Sequence, residues 1–420
     1  MKFATLRIRN ALPLIASLLA SSPASASLGI FEIGNGINAQ GMGGISYVLG
    51  DETTVLAGNP ALLSGMGERI DLGVNFLYPQ SEAEFRGNAA GPDENYRNVG
   101  RRLLYIPQGG FSHRINEKWM LGATLFSAGL GPDFSGGPYQ RFGGGHRTSL
   151  IFVSSGIVSA VGYKLREDQH LGFSLNLGYQ TLRIEGLEFA AALSETPDKV
   201  TNQGKDGAFN VGFTVGWVGN VTEKLKGAVT YRSKAWTQKH KDYRGLLPDQ
   251  GSLELPAIYG AGLAYALNPA WTLAAEYQRY QYSSQKSFGH RIGRLAQGNL
   301  LGSDNGPGFG YQNQDAYKLG LRWKATANLT LRLGHVTASQ IIADSETFFG
   351  VIASSTPTKT FTTGGTYQFG AWEASGQINW SPDRQVRGRN SIPPAFGGGE
   401  ANVSFETLFF GFSVGRRFGQ

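Results

Sequence analysis

The sequence predicts an all-β protein: one antiparallel β-barrel of 14 strands that crosses a membrane, with an N-terminal plug. Three observations predict the barrel: residues from 69 onward alternate in hydropathy with a period of two, glycine makes up 60 of 420 residues, and aromatic residues stand near strand ends. Strands of outer-membrane barrels alternate between an apolar face toward lipid and a polar face toward the lumen. Because lipid offers no hydrogen bonds to peptide groups, such a sheet has to close on itself.

The alternation is strict in segments spread along the chain. In 171–179 the apolar residues Leu171, Phe173, Leu175, Leu177 and Tyr179 alternate with glycine, serine and asparagine, and 70–78, 209–217, 317–323 and 408–414 behave alike. A soluble β-sandwich also alternates, but its polar face is usually rich in lysine, glutamate and threonine. A face of small polar residues, with apolar positions ending in tyrosine or tryptophan, is typical of a lipid-facing wall with aromatic girdles.

Counting such segments gives 14 strands, an even number, as in single-chain bacterial barrels. We expect strands near 69–78, 101–113, 118–130, 151–166, 169–185, 207–219, 223–238, 255–267, 270–282, 313–326, 327–339, 361–370, 371–380 and 404–418. Short turns such as 166–168, 267–269 and 325–327 alternate with long segments such as 131–150, 284–312 and 383–403. Short turns predict the periplasmic end of the barrel, and long loops predict the extracellular end.

The first 26 residues have the pattern of an export signal. Lys2, Arg7 and Arg9 precede an apolar run at 11–20, and Ala24-Ser25-Ala26 forms a cleavage site. The run is shorter than the ~20 residues that span a bilayer, so we expect cleavage between Ala26 and Ser27. With no cysteine in the chain, disulfides, cysteine-based zinc sites and a cysteine nucleophile are excluded.

Residues 27–68 are rich in glycine and barely alternate. Gly34-x-Gly36-x-x-Ala39 is similar to a dinucleotide fingerprint, but it follows no strand and opens no convincing helix, so we reject that interpretation. From the residues alone the segment is either a periplasmic tail or a plug inside the lumen of a large barrel.

The stretch 41–61, which ends in Asn59-Pro60-Ala61, resembles the N-terminal hatch of the FadL/TodX family of outer-membrane transporters for hydrophobic compounds. Further matches lie at 231–233, 255–256, 315–320 and 329–334, and together they cover most of 27–420. The resemblance implies a signal peptide at 1–26, a hatch at 27–68 and a 14-stranded barrel at 69–420 in the outer membrane of a Gram-negative bacterium. The hatch motif that the resemblance implies consists of Asn59, Pro60 and Ala61.

The resemblance also implies a transport mechanism. Long-chain fatty acids or aromatic or aliphatic hydrocarbons adsorb to an extracellular apolar groove and then move to a pocket against the hatch. They leave after a hatch rearrangement, through a lateral opening at a kink in the third strand. The matching kink is Ser127, Ala128, Gly129 and Leu130, just before Pro132. Gly129 would leave room for a bulge or gap, and Pro132 cannot donate to the ladder; alternatively, Gly129 is an ordinary strand-end glycine.

The expected ligand contacts are Phe189, Leu193, Phe309 and Arg183. Phe189 and Leu193 lie in a short apolar stretch of the loop at 186–206 that could form a turn of helix. Phe309 and Gly186 align with the basic pocket residues of the fatty-acid transporter, and Arg183 lies nearby. Because a buried anionic head group needs a charge partner, the loss of both basic residues favours a neutral ligand.

Two other classes of function are an outer-membrane enzyme and a general porin. Six histidines (His113, His146, His170, His240, His290 and His335) could serve an outer-membrane enzyme, but none lies in a catalytic motif. A general porin would need a wider, unplugged barrel. We expect a monomer with no cofactor and no metal. We also expect no nucleic-acid partner, since the net charge of +7 is spread along the chain. Expected partners are the ligand, outer-membrane lipid, lipopolysaccharide and the assembly machinery, which would read the last strand ending at Phe418.

Overall fold

The computed structural model describes residues 28–98 and 103–419. The predicted signal peptide at 1–26, and the first two residues of the strand predicted at 101–113, lie outside the described residues. The described part contains 14 wall strands in one antiparallel sheet. The sheet closes because the first strand pairs with the last, from Arg69 opposite Arg417 to Arg86 opposite Glu400. The predicted fold class is confirmed.

Three of the wall strands, β2, β3 and β7, are built from two segments each. The strands are β1 Arg69–Arg86, β2 Glu94–Arg97 and Leu104–Arg114, β3 Trp119–Leu130 and Asp133–Phe134, β4 Thr148–Arg166, β5 Gln169–Glu185, β6 Asp206–Asn220, β7 Leu225–Arg232 and Trp236–Thr237, β8 Ile258–Ala266, β9 Trp271–Tyr280, β10 Gln314–Lys324, β11 Leu329–Ala338, β12 Lys359–Phe369, β13 Trp372–Val386 and β14 Glu400–Arg417. All 14 correspond to predicted strands.

The strands β1 and β13 extend beyond their predicted ends. The sequence predicts that β1 stops at 78, whereas it continues to Arg86 and pairs with β14 throughout. Its outward side chains change at that point from apolar to polar, as at Gln80, Glu82 and Glu84. The apolar alternation therefore marks only the part of the strand that faces hydrocarbon.

The two faces of the wall have the predicted character. On β5, Phe173 and Leu177 are exposed on the outside while Ser174 and Asn176 are buried toward the lumen. Aromatic rings pair on the outer surface at both ends of the barrel: Trp271 stacks on Trp323 near the short turns, with ring centroids 5.1 Å apart. Toward the long loops, Tyr179 packs edge-on against Phe209 at 4.9 Å. These pairs form the aromatic girdles expected at the two bilayer interfaces.

The long loops fold over the extracellular end of the barrel. Their core is an aromatic group that we call the outer cluster: Phe85, Tyr139, Phe142, Phe189, Phe348 and Phe396. The ring of Phe348 contacts the rings of the five other members, at centroid distances of 5.3 to 6.3 Å. Within 28–98 and 103–419 no helix is both long enough and apolar enough to cross a membrane.

Candidate functional site

Residues 28–68 lie inside the barrel, and we call them the hatch. They form three short helices, Ile37–Gln40, Thr53–Ala57 and Pro60–Gly65, with almost every side chain before 64 buried. The helices pack against strands on opposite sides of the wall: Ile37–Gln40 against β12 and β13, and Pro60–Gly65 against β4, β5 and β6. Of the two alternatives left by the sequence, the structure shows a plug in the lumen.

The tripeptide Asn59-Pro60-Ala61 starts the third hatch helix. The Asn59 side chain accepts a hydrogen bond from the Ala61 N–H at 3.0 Å and so caps the helix, with Pro60 in the first helical position. Its Nδ2 donates to the carbonyl of Tyr47 at 2.7 Å and to that of Trp217, on β6, at 3.3 Å. Asn59 therefore ties the helix to the rest of the hatch and to the wall.

Two glycines of the wall, Gly172 and Gly216, lie directly against this tripeptide. A Cβ at Gly172 would lie 2.1 Å from the Ala61 nitrogen, and one at Gly216 would lie 2.0 Å from Asn59 Oδ1. On the far side of the barrel, a Cβ at Gly334 would lie 2.0 Å from the nitrogen of Gly43. Lumen-facing glycines thus let the hatch approach the wall at backbone distance.

Charged side chains of the wall bind the backbone of the hatch. Glu276 on β9 accepts from the N–H groups of Ser46, Tyr47 and Val48 at 2.6 to 3.1 Å. Lys318 on β10 donates to two hatch carbonyls, those of residues 33 and 44. Charge-assisted hydrogen bonds of this kind are roughly twice as strong as neutral ones.

A second group of charges lies near the short turns. Asp51 of the hatch pairs with Arg322 and Arg332 of the wall, each at 3.0 Å. Arg69 donates to the Asp51 carbonyl at 2.6 Å and pairs with Asp71 at 2.5 Å. Burial opposes ionisation of Asp51, but Arg322 and Arg332 hold the pKa of its carboxyl well below its usual range. This end of the hatch is therefore polar and ionised.

Between the hatch and strands β3, β7, β8 and β9 lies a space that we call the internal cavity. Its lining includes Phe31, Tyr47, Phe126, Arg232 and Tyr280. The Phe31 ring stacks on that of Tyr280 at 5.4 Å, and the free volume that remains is about 30 Å³. An apolar cavity that accepts benzene measures ~150 Å³. The free volume is therefore too small for such a ligand, and Phe31 of the hatch is one of the side chains that border it.

One carboxyl group, that of Glu32, lines the internal cavity. The amides of Gln40, Asn75 and Gln108 donate to Oε2 of Glu32, the last two at 3.1 and 3.2 Å. Burial raises the pKa of the Glu32 carboxyl to about 7, although the bonds from Gln40 and Asn75 act in the opposite direction. This group therefore titrates near neutral pH.

The ladder between β2 and β3 is interrupted, and we call the interruption the wall gap. Among described residues this ladder runs from Arg114 opposite Met120 only to Gly110 opposite Thr124. Residues 125–130 keep their pairing with β4, while 104–109 keep theirs with β1. On its open side, β3 meets the hatch: Gly129 N–H donates to the Ile30 carbonyl at 2.8 Å, and Phe31 forms a bridge with Ala128.

The predicted kink residues 127–130 thus lie along the wall gap. They keep a continuous register with β4, from Ser127 opposite Ser155 to Leu130 opposite Phe152, so there is no bulge on that side. The strand breaks at 131–132 and resumes at Asp133 in the same register. The break in β3 therefore includes Pro132, and the open edge of β3 faces β2.

A second space, the outer groove, lies between the long extracellular loops. Its apolar lining includes Leu193, Ile292, Leu295 and Phe396, and its free volume is about 910 Å³. The chain segment 188–193 forms the short helix that the sequence suggested. Leu193 therefore lies at a surface large enough for a small hydrophobic molecule.

The other expected ligand contacts lie elsewhere. Phe189 belongs to the outer cluster, and Phe309 is buried in the loop after β9 beside Phe288 and Tyr311. Arg183 pairs with Glu185 on β5, and Gly186 follows the end of that strand. The internal cavity is not lined by Phe309, Arg183 or Gly186.

Sequence reasoning missed the main lining residues of the internal cavity, Phe31, Phe126, Arg232 and Tyr280. Arg232 carries a signal that could have been used: it is a charged residue at a lumen-facing position of a strand segment and belongs to the matching tripeptide at 231–233. The expectation of a neutral ligand rested on positions 186 and 309, which are not in the cavity.

Comparison with known proteins agrees with this architecture. A family model described as outer membrane protein transport protein (OMPP1/FadL/TodX) matches residues 16–373. The chain belongs to this family. Members of the family are transport proteins of the outer membrane, which places the chain in the outer membrane of a Gram-negative bacterium. No curated protein matches the chain.

Solved structures show the same fold. The toluene transporter TodX of P. putida is 18% identical, with a TM-score of 0.68 over 92% of this chain and 99% of that one. The toluene transporter TbuX of Ralstonia pickettii is 16% identical, with a TM-score of 0.64 over 92% of this chain and 99% of that one. A FadL homologue of Pseudomonas aeruginosa is 13% identical, with a TM-score of 0.67 over 95% of this chain and 100% of that one.

Proposed function

We propose that this chain is a passive transporter that takes up hydrophobic small molecules, either long-chain fatty acids or aromatic or aliphatic hydrocarbons, across the outer membrane. The observation that carries the proposal is the contact between the internal cavity and the wall gap. Phe126 and Ser127 of β3 line the cavity, and the same strand has its open edge at residues 125–130. A molecule in the cavity is therefore one strand away from the lipid.

Entry begins at the outer groove, whose apolar lining can adsorb a hydrophobic molecule from water. A continuous apolar core leads inward from there: it includes Leu193 and Phe396 at the groove, Phe348 in the outer cluster, and Ile30 and Phe31 of the hatch. The side chains of this core are apolar, although Arg294 and Glu346 lie at the outer groove and Arg232 lies at the internal cavity.

Release requires the start of the hatch to move. The free volume of the cavity, which Phe31 borders, is too small for a ligand, and the turn at 28–31 also bonds the open edge of β3. Displacement of this one turn would enlarge the cavity and uncover the wall gap together. The route straight through the hatch is less favourable, because it meets the ion pairs of Asp51 with Arg322 and Arg332.

The proposal assigns roles to the remaining predicted segments and partners. Residues 1–26 are the cleaved signal peptide, 27–68 the hatch and 69–420 the barrel. The protein works as a monomer without enzymatic activity, contacts outer-membrane lipid and lipopolysaccharide, and is inserted by the outer-membrane assembly machinery.

Substitution of Gly129 tests the lateral route. In Gly129→Phe, a ring at the open edge should block transfer of the ligand to lipid but not its binding. Binding is measured on purified protein in nanodiscs, and transfer is measured as uptake of radiolabelled decanoate or toluene by expressing cells. The control is Gly376→Phe, at an outward-facing strand position where a Cβ comes no closer than 3.6 Å to its neighbours.

Unchanged uptake in Gly129→Phe would remove the lateral route from the proposal. A stable open pore of nanosiemens size in planar bilayers would instead indicate a general porin. Hydrolysis of lipids or peptides by the purified protein would indicate an enzyme.

A further inference from the structure

The outer face of the barrel has a hollow near the short turns, which we call the wall depression. It extends across β1 to β4, and its free volume is about 740 Å³. Ile70, Phe111 and Leu121 border it and are 41 to 49% exposed. Its floor includes the short side chains of Ala123 and Ser159, which are direct neighbours in the ladder between β3 and β4. The depression therefore lies on the side of the wall that faces lipid.

The strand register explains why the wall is hollow at this place. Ala123 pairs with Phe111 on one side, and Ser159 pairs with Leu175 on the other. Two short side chains thus lie in one row between two large ones, and a hydrocarbon chain can fill the space above them. The depression also adjoins the wall gap, because the ladder of β2 with β3 ends one residue beyond Phe111, at Gly110.

A cation without a partner lies beside the wall depression. Arg416 on β14 is opposite Ile70 of β1 and opposite Trp372 of β13. Its guanidinium carbon lies 5.1 Å from the ring centroids of both Trp372 and Phe418, which are themselves exposed on the outer face. Within the described residues, Arg416 has no ion pair and no hydrogen bond from its side chain. Ring contacts use the faces of a guanidinium, so the N–H donors in its plane are free.

A carboxylate lies on the other side of Phe418. The Phe418 N–H donates to the carbonyl of Glu68 at 2.9 Å, so these two residues are side by side. Glu68 lines the wall depression, and its side chain is 32% exposed. Its Oε1 lies 2.7 Å from Nδ1 of His113 and accepts from the Arg114 N–H at 3.1 Å. Within the described part of the chain, Oε2 has no such partner and can accept from a donor at the membrane surface.

We propose that the wall depression binds one molecule of phosphatidylethanolamine from the periplasmic leaflet of the membrane. One acyl chain lies over Ala123 and Ser159, the phosphate binds Arg416, and the ammonium group binds Glu68. The inference goes beyond the proposed function, because it concerns a lipid that stays on the barrel and not a molecule that passes through it.

The charges and the surface of the site match this lipid. A guanidinium binds a phosphate through two parallel hydrogen bonds, and burial of an acyl chain against the large side chains around the floor is favourable. A cation and a carboxylate on either side of Phe418 complement a zwitterionic head group. A lipid with an anionic head would gain the contact with Arg416, but Glu68 would repel its charge.

Native mass spectrometry of the full chain, released from detergent micelles, measures the binding of single lipids. Three lipids with the same acyl chains are compared: phosphatidylethanolamine, phosphatidylglycerol, and diacylglycerol, which lacks the phosphate. The variant Arg416→Gln removes the charge that binds the phosphate. The variant Ala123→Leu fills the floor of the wall depression with a side chain that is compatible with lipid.

Each variant has a matched control on β9, away from the wall depression. Arg279→Gln removes an arginine near the long loops that pairs with Asp315 at 2.9 Å. Ala275→Leu enlarges an exposed alanine on the same strand. Heat-modifiable migration in gels verifies that every barrel is folded.

We expect the wild type to bind one phosphatidylethanolamine tightly, phosphatidylglycerol more weakly and diacylglycerol most weakly. Arg416→Gln should weaken phosphatidylethanolamine by about ten- to hundredfold and leave diacylglycerol unchanged, because only the phosphate loses a charged donor. Ala123→Leu should weaken all three lipids, since they share the acyl chains. Both control variants should bind like the wild type.

Four results would overturn the inference. Equal binding of phosphatidylethanolamine and diacylglycerol to the wild type would do so even if no variant folded. Phosphatidylglycerol that binds at least as tightly as phosphatidylethanolamine would remove Glu68 from the site. Equal weakening in Arg416→Gln and Arg279→Gln would indicate a general effect of charge. A protein dimer that dissociates in Ala123→Leu would assign the wall depression to a second copy of this chain.

Discussion

Asn59 is expected to control the stability of the hatch independently of the barrel. The side chain is fully buried and makes three hydrogen bonds, two as donor to carbonyls and one as acceptor at the helix cap. In Asn59→Ala the cap is lost, at a cost of about 1 kcal/mol. The carbonyls of Tyr47 and Trp217 lose a donor in a buried place, at a further cost of about 1–3 kcal/mol.

The sum, about 2–4 kcal/mol, should appear as easier opening of the hatch. It corresponds to about 30- to 700-fold faster exchange of hatch amides, because each 1.4 kcal/mol is tenfold. Hydrogen exchange with mass spectrometry measures it on peptides from 37–66, with peptides from β10 to β13 as an internal reference. Barrel assembly should be unchanged, since Asn59 lies outside the wall strands.

The matched control is Asn268→Ala. Asn268 also caps a turn, accepting from the N–H groups of Ala270 and Trp271 at 2.9 and 3.0 Å, but it is exposed between β8 and β9. Water replaces its bonds, so the change should stay within about 0.5 kcal/mol. Hatch exchange within threefold of the wild type in Asn59→Ala, or equal acceleration in hatch and barrel peptides, would refute the reasoning.

Two further predictions concern the fit of the hatch and the pH dependence of binding. In Gly172→Leu the side chain would need the space of the Ala61 nitrogen and the Pro60 carbonyl carbon, 2.1 and 2.2 Å from its Cβ. We expect the hatch to leave its place and ion conductance in planar bilayers to rise, whereas Gly376→Leu should conduct like the wild type. Glu32 has a pKa raised to about 7 by burial, so it becomes negative as pH rises through that value. Because the new charge repels an anionic ligand, decanoate binding should weaken between about pH 6 and pH 8, and Glu32→Gln should bind equally at both.

Each of these predictions has a result that contradicts it. Wild-type conductance in a correctly folded Gly172→Leu barrel would mean that the hatch does not rest on Gly172. If decanoate binding by Glu32→Gln kept the pH dependence of the wild type, the titrating group would be another residue. The binding of 1-decanol, which is neutral, should not depend on pH in the wild type or in Glu32→Gln.

The barrel wall was predictable because its signal is local. The alternation at 169–185 gives the bounds of β5 as the structure has them, since each residue of a membrane strand faces either lipid or lumen. The extension of β1 beyond 78 was not predictable in this way, because its outward residues there contact water and no longer have to be apolar.

The internal cavity was not predictable because it joins residues that are distant in sequence. Phe31 comes from the hatch, Phe126 from β3, Arg232 from β7 and Tyr280 from β9, and no spacing along the chain encodes their meeting. The wall gap was predictable only in part. Gly129 and Pro132 indicate an irregularity in β3, but the open edge depends on which part of β2 pairs with β3, and the sequence does not give that register. The surroundings of Phe309, beside Phe288 and Tyr311, were not predictable either, because long loops fold by tertiary contacts.

The way in which Glu276 and Lys318 hold the hatch has a consequence for how this sequence can change over time. Both wall residues bind peptide N–H and C=O groups, which every amino acid except proline presents alike. The two charges therefore do not depend on the identity of the hatch side chains at 44–48, and substitutions there are limited by the space between hatch and wall, as where Tyr47 packs against Gly260. Divergence should accumulate in the plug at these positions while the two charges in the wall persist, so that relatives can exchange ligands without losing the means of closing the barrel.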